Sequence, residues 1–103
     1  MLASSGMQAD ALTLHKQLRA KMVWYVHQNG KHMSTPALAQ MLGNTLYYKR
    51  FFPYYTFNVL GGLDETGRGC VYSYDAIGSH ERVTYAASGS GSLLVQPVLD
   101  SQV

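Results

Sequence analysis

This 103-residue sequence is poor in cysteine and in charge. Its single cysteine, Cys70, excludes an internal disulfide and fits a reducing compartment. Charged residues make up 14%, against about a quarter in an average soluble domain. With so little charge to cover the outside, buried contacts with partner molecules are expected. The basic residues are scattered, Lys49-Arg50 is the only adjacent pair, and the formal net charge is +2. No Lys/Arg stripe marks a nucleic-acid surface, so no nucleic-acid partner is expected. The opening Met1–Gly6 has neither a basic region nor a long apolar run, which argues against a secretory leader. No stretch approaches the roughly 20 apolar residues of a membrane span. The expectation is a protein of the cytoplasm and nucleus with no membrane partner.

The catalytic and ligand-binding signatures are also missing. Ser88-Gly89-Ser90-Gly91-Ser92 opens an apolar helical pattern and invites comparison with a phosphate cradle. However, there is no GxxxxGKS or GxxxxGKT, no GxGxxG and no lysine in place, so a tight structural turn is the better reading. His15, His27, His32 and His80 lack the i,i+4 spacing of a helical metal site and read as solvated residues. Cys70 falls mid-strand, where a small buried hydrophobe is commoner than a nucleophile. No GxSxG elbow is present, and Ser90 has no recognisable base. The aromatic run Phe51-Phe52-Pro53-Tyr54-Tyr55 has too few basic neighbours for a base-stacking platform and points to burial in a core or an interface.

What is present organises around Tyr55–Asp75. Phe57, Val59 and Leu63 fall on one face at period two, and Cys70, Tyr72 and Tyr74 alternate with Val71 and Ser73. Asp64-Glu65-Thr66-Gly67-Arg68-Gly69 between them is a turn in which Gly67 or Gly69 supplies positive φ, making a hairpin. The pair Gly61-Gly62 inside the first arm predicts a bulge, a bend or a close backbone approach.

Upstream, residues 1–5 read as the end of a strand, and Ser5 with Gln8 has capping-box spacing. Leu14, Leu18, Met22, Tyr25 and Val26 then follow helical spacing up to Asn29-Gly30, a left-handed C-cap. A second helix is capped by Thr35, with Pro36 first and Leu38, Met41, Leu42, Thr45 and Leu46 as its buried stripe. Two helices about 6–30 and 34–50 form an antiparallel pair that must lie on a sheet. The strands are expected at about 55–64, 69–75 and 81–87, and Asp75-Ala76-Ile77-Gly78 turns the chain between the last two. A final helix spans about 91–103, with Pro97 inside it. Both termini look cut from something longer, and the sheet edges look unprotected.

Three stretches now carry a resemblance. SSGMQADALTLHKQL, KRFFPYYTFNVLGGLDETGRGCVYSYDAIGSHER and AASGSGSLLVQPVLDSQV, in that order, closely resemble the middle of beta-type subunits of the eukaryotic 20S proteasome. The resemblance spans essentially all 103 residues. It implies an α+β chain, a partial N-terminal nucleophile hydrolase fold. That fold is a four-layer αββα sandwich of antiparallel sheets, here without its first strands and last helices and strands. Residues 1–103 would be the central part of that domain. The opening strands, which in active members carry the N-terminal threonine, an acidic residue and a lysine, have no counterpart here. Gly89-Ser90-Gly91-Ser92 matches the loop whose first serine, Ser90, supports the threonine in active subunits. The likeness is to a non-catalytic member, so these four residues are carried over as structural. No cofactor or metal is implied. The implied partners are other beta-type and alpha-type subunits in stacked rings, and the implied role is assembly of the complex that degrades proteins. The competing expectations are a catalytic threonine-protease subunit whose nucleophile lies outside this stretch, and a free-standing binding module.

Overall fold

The computed structural model describes residues 1–102. Its elements are strand β1 (Leu2–Gly6), helix α1 (Gln8–Asn29), helix α2 (Thr35–Tyr48), strands β2 (Thr56–Leu63), β3 (Gly69–Tyr74) and β4 (His80–Val83), and helix α3 (Ser92–Gln102). The four strands form one antiparallel sheet in the order β1-β2-β3-β4, with α1 and α2 packed on one side. The result is an α+β architecture.

The local chemistry of the ends explains where the elements stop. Helix α1 ends at Gly30, whose φ of 70° places it in the left-handed region and whose N–H donates to the Val26 carbonyl. Its start departs from the capping-box expectation. Met7 is the N-cap and makes no side-chain cap bond, because Ser5 is still committed to β1. The helix start is held instead by Tyr55: Met7 N–H donates to the Tyr55 carbonyl at 2.8 Å, and Tyr55 N–H donates to Asp10 Oδ2 at 2.8 Å. An acidic residue in the first turn also suits the positive end of the helix. Helix α2 is capped by Ser34, not Thr35, with Ser34 Oγ accepting from Ala37 N–H at 3.3 Å. Thr35 is therefore the first helical residue and Pro36 the second, where a missing N–H is still tolerated.

The core gathers Leu14 and Leu18 from α1, Ala39, Leu42 and Leu46 from α2, Tyr54, Leu60 of β2 and Tyr74 of β3. Fully burying one such leucine stabilises the fold by about 1.5–3 kcal/mol. The α1 stripe is shorter than its periodicity suggested. Met22 is exposed and Tyr25 and Val26 are half-buried, so the fully buried residues of α1 are Leu14 and Leu18.

The sheet presents two different faces. Towards the helices β2 turns Thr56, Asn58 and Leu60, all buried, and β3 turns Cys70, Tyr72 and Tyr74. Phe57, Val59 and Leu63 point to the opposite side, where Phe57 is 38% and Leu63 63% exposed. Pairing of Val59 with Ser73, Gly61 with Val71, and Val71 with Val83 continues that apolar strip across three strands.

The β2–β3 ladder runs without interruption from Val59↔Ser73 to Leu63↔Gly69, so Gly61-Gly62 makes no bulge. The close approach is real at one of the two glycines, and it is to a side chain: a Cβ on Gly62 would collide with Thr35 Oγ1, whereas one on Gly61 would meet only the Cys70 carbonyl oxygen at 4.0 Å.

The two hairpin turns share one design. Asp64 Oδ1 accepts from the N–H groups of Thr66 and Arg68 at 2.9 and 3.0 Å, and Gly67 has φ 84°. Asp75 Oδ1 accepts from Ile77 and Ser79 at 3.0 and 2.9 Å, and Gly78 has φ 94°. In each, an aspartate side chain substitutes for a backbone acceptor and a glycine takes the left-handed position.

Strand β4 is shorter than expected, ending at Val83 instead of near Ala87. Beyond it the chain leaves the sheet towards α3, where the Tyr85 hydroxyl donates to Asp100 Oδ1. Helix α3 has no buried residue and carries Pro97 in its interior. The last residue of the expected helix, Val103, lies outside the described residues.

Candidate functional site

The Gly89–Ser92 loop is the one stretch singled out as a site, and the fold brings it against the end of β1. A turn forms as Ser92 N–H donates to the Gly89 carbonyl at 3.2 Å, and Leu94 and Val95 N–H groups both donate to the Gly91 carbonyl at 3.1 Å. These amides are spent inside the turn and the first helical turn, so they are not offered to an anion. Gly89 has φ 97°, and a Cβ there would stand 3.2 Å from both Cβ and Oγ of Ser5. Only glycine lets the loop come this close to β1.

Together the loop and strand frame a cleft of about 520 Å³ lined by Ser5, Gly6, Tyr55, Phe57, Ala87, Ser88, Gly89, Ser90 and Ser92. Ser90 lies at its rim and is exposed. Ser5 Oγ is buried in its wall without a hydrogen-bond partner. Among the described residues no carboxylate, imidazole or amine lines the cleft, so its hydroxyls can bind and orient a group but have no neighbouring base to activate them.

The other candidates are dispersed. His27, His32 and His80 are exposed, as solvated side chains would be, whereas His15 is half-buried. His80 stacks on the Tyr74 ring with centroids 4.9 Å apart. His15 Nε2 lies 2.8 Å from Ser4 Oγ, which donates to Asn58 Oδ1 at 2.6 Å, and Asn58 Nδ2 donates in turn to Thr56 Oγ1 at 3.2 Å. Because the Ser4 hydroxyl gives its proton to Asn58, His15 supplies the N–H at Nε2. This four-residue polar chain runs beneath α1 and is the feature that sequence reasoning missed. Its trace was Thr56 and Asn58, two polar residues at alternate positions of β2. No group of three or more His, Cys, Asp or Glu residues is placed to hold a metal among the described residues. Cys70 is buried on the helix side of the sheet.

The aromatic run divides. Tyr54 joins the core, its hydroxyl donating to Gln17 Oε1 at 2.9 Å, while Phe51, Phe52 and Tyr55 are largely exposed.

The family described as "Proteasome subunit" matches residues 1–103. The chain is 64% identical over 102 residues to a protein named proteasome subunit beta type-1 from Oryza sativa subsp. japonica, covering 99% of this chain and 46% of that protein. It is 62% identical over 103 residues to the protein of that name from Arabidopsis thaliana, and 59% identical to the one from Dictyostelium discoideum, covering 46% and 44% of them. The chain thus spans just under half the length of these curated relatives. On the match along its whole length, it belongs to the proteasome subunit family.

Proposed function

We propose that this chain is the central part of a non-catalytic beta-type subunit that builds the beta ring of the 20S core proteasome. It would do so within an N-terminal nucleophile hydrolase sandwich, in the cytoplasm and nucleus. The observation that carries the reading is the apolar strip Phe57, Val59, Leu63, Val71 and Val83 on the sheet face opposite α1 and α2. An antiparallel sheet with apolar residues on both faces belongs to an architecture with a further layer. The relatives named beta type-1 fit the assembly-directed form of the reading. Ser90 then shapes the loop and assists no nucleophile.

The test is affinity capture of the tagged chain from eukaryotic cells, with assay of fluorogenic peptides. Co-purification of beta-type and alpha-type subunits is expected. Peptide turnover by the chain purified away from other subunits, blocked by a threonine-directed inhibitor, would overturn it. Sedimentation of residues 1–103 alone is expected to show self-association; a compact, cooperatively melting monomer of 11.4 kDa would favour a free-standing module instead.

A further inference from the structure

Just after α2 the chain builds an exposed tip from Tyr47, Tyr48, Arg50, Phe51 and Phe52. Tyr48 and Phe52 are each 84% exposed and Phe51 is 77% exposed. Four large rings on the surface within six residues form a patch of the kind that marks a contact site. Tyrosine, phenylalanine and arginine are also the residues enriched in the buried centres of protein interfaces.

The tip is held in shape before any partner arrives. Arg50 N–H donates to the Tyr47 carbonyl and Phe52 N–H to the Lys49 carbonyl, both at 3.1 Å. On one side the tip is rooted by buried Leu46, and on the other by buried Tyr54, over whose ring Lys49 Nζ lies at 5.1 Å. A surface that loses little freedom on binding keeps more of its contact energy as affinity.

Arg50 gives the tip its chemical character. Its guanidinium carbon lies 4.5 Å from the ring centroids of both Tyr47 and Phe51. Stacking against rings leaves the in-plane N–H groups as the outlet for hydrogen bonding, a fork that matches a carboxylate. One Nη1 contact goes to the Tyr47 carbonyl at 3.4 Å. Among the described residues the one ion pair joins Arg82 and Asp64, so no carboxylate of this stretch answers Arg50.

We infer that residues 47–52 dock on a partner protein that presents an aspartate or glutamate carboxylate ringed by apolar side chains, the carboxylate meeting Arg50 and the apolar ring meeting Tyr48, Phe51 and Phe52. This rests on the ring-subunit reading above and names the kind of surface a neighbouring subunit carries there. A single strand of nucleic acid would also stack on the rings, but it would need a basic track along its backbone, and only Lys49 and Arg50 are at hand.

The experiment uses the tagged chain in eukaryotic cells, with p-benzoylphenylalanine placed at position 48 for crosslinking and with the variants Arg50→Glu, Arg50→Lys and Phe51→Ala. The wild type should crosslink to one subunit at a peptide containing aspartate or glutamate. Arg50→Glu should lower capture of that subunit at least tenfold, Arg50→Lys should lower it less, and lysine in place of the partner's acidic residue should restore capture by Arg50→Glu. Arg50 is exposed, and the restoration shows that a variant has folded. Failure of the wild type to capture any subunit would sink the ring-subunit reading. Normal wild-type capture with no loss in Arg50→Glu and Phe51→Ala would sink this inference alone. Arg50-dependent binding of a fluorescein-labelled single-stranded 20-mer, without a subunit crosslink, would replace it with base stacking.

Discussion

Gly62 of β2 lies directly against Thr35, the first residue of α2, so that the hairpin and the helix meet with no room for a side chain between them. Gly62→Val should therefore destabilise this junction by about 1–3 kcal/mol, the range for overpacking a close contact. Thr35→Ala removes the colliding hydroxyl and should recover much of the loss, whereas Gly61→Val should be milder. Hydrogen exchange of the first-turn amides of α2 reads the effect locally. Equal protection in wild type and Gly62→Val would show that the glycine is incidental.

The turn at Asp64 should make the hairpin sensitive to acid. The Thr66 hydroxyl, the Arg82 guanidinium and the amides of Thr66 and Arg68 hold the Asp64 carboxyl well below the usual carboxylate range. A depressed folded value means that its stabilisation is fully present above the unfolded carboxyl range, near pH 4, and is lost as pH falls below it. The difference in melting temperature between wild type and Asp64→Asn should be largest at neutral pH and should close in acid. A difference independent of pH would place the role of Asp64 in loop shape alone.

Tyr74 should behave differently from the other tyrosines. Burial pushes its phenol well above the ordinary value, and its hydroxyl donates to the Ala39 carbonyl at 2.6 Å. A raised folded value favours the fold up to the unfolded phenol value near pH 10, and that advantage declines at higher pH. In an NMR titration of the ¹³C-tyrosine-labelled chain, Tyr74 should stay un-ionised through the ordinary phenol range near pH 10. Tyr74→Phe should cost about 0.5–1.5 kcal/mol. Ionisation of Tyr74 within the ordinary phenol range would contradict its buried bond.

Asn58 is fully buried and bonded on both ends of its amide. Asn58→Ala should cost about 1–3 kcal/mol, since buried Thr56 and half-buried Ser4 then lose a partner. Ser4→Ala and Asn58→Ala should be less than additive together, the mark of a shared network. Additive losses measured by exchange of the β1 and β2 amides would show that the two residues act separately.

Much of this was legible in the sequence because it is local. The Gly30 cap, the two aspartate turns, the hairpin and the Leu42–Leu46 stripe follow from residues that contact their own neighbours. Alternation revealed that Phe57, Val59 and Leu63 share a face, but period two does not tell which face meets the helices. That choice depends on β1 and α1, which lie far upstream along the chain. Ser34 displaced Thr35 as the cap because either hydroxyl satisfies the same local rule. The loop at Gly89–Ser92 could be recognised as a turn from its composition; its seating on Ser5 could not, since that contact joins the two ends of the chain.

The row His15–Ser4–Asn58–Thr56 has a consequence for how the sheet finds its alignment. A slip of β2 by one residue would turn every side chain over. Phe57 and Val59 would then enter the helix side, where apolar residues are welcome, so hydrophobicity alone hardly penalises the mistake. The amide of Asn58 does. Shifted, it would leave the Ser4 hydroxyl and the His15 N–H facing hydrocarbon, a misalignment that no repacking of leucines repairs. In a sheet greasy on both sides, polarity is the key that fits only one way round.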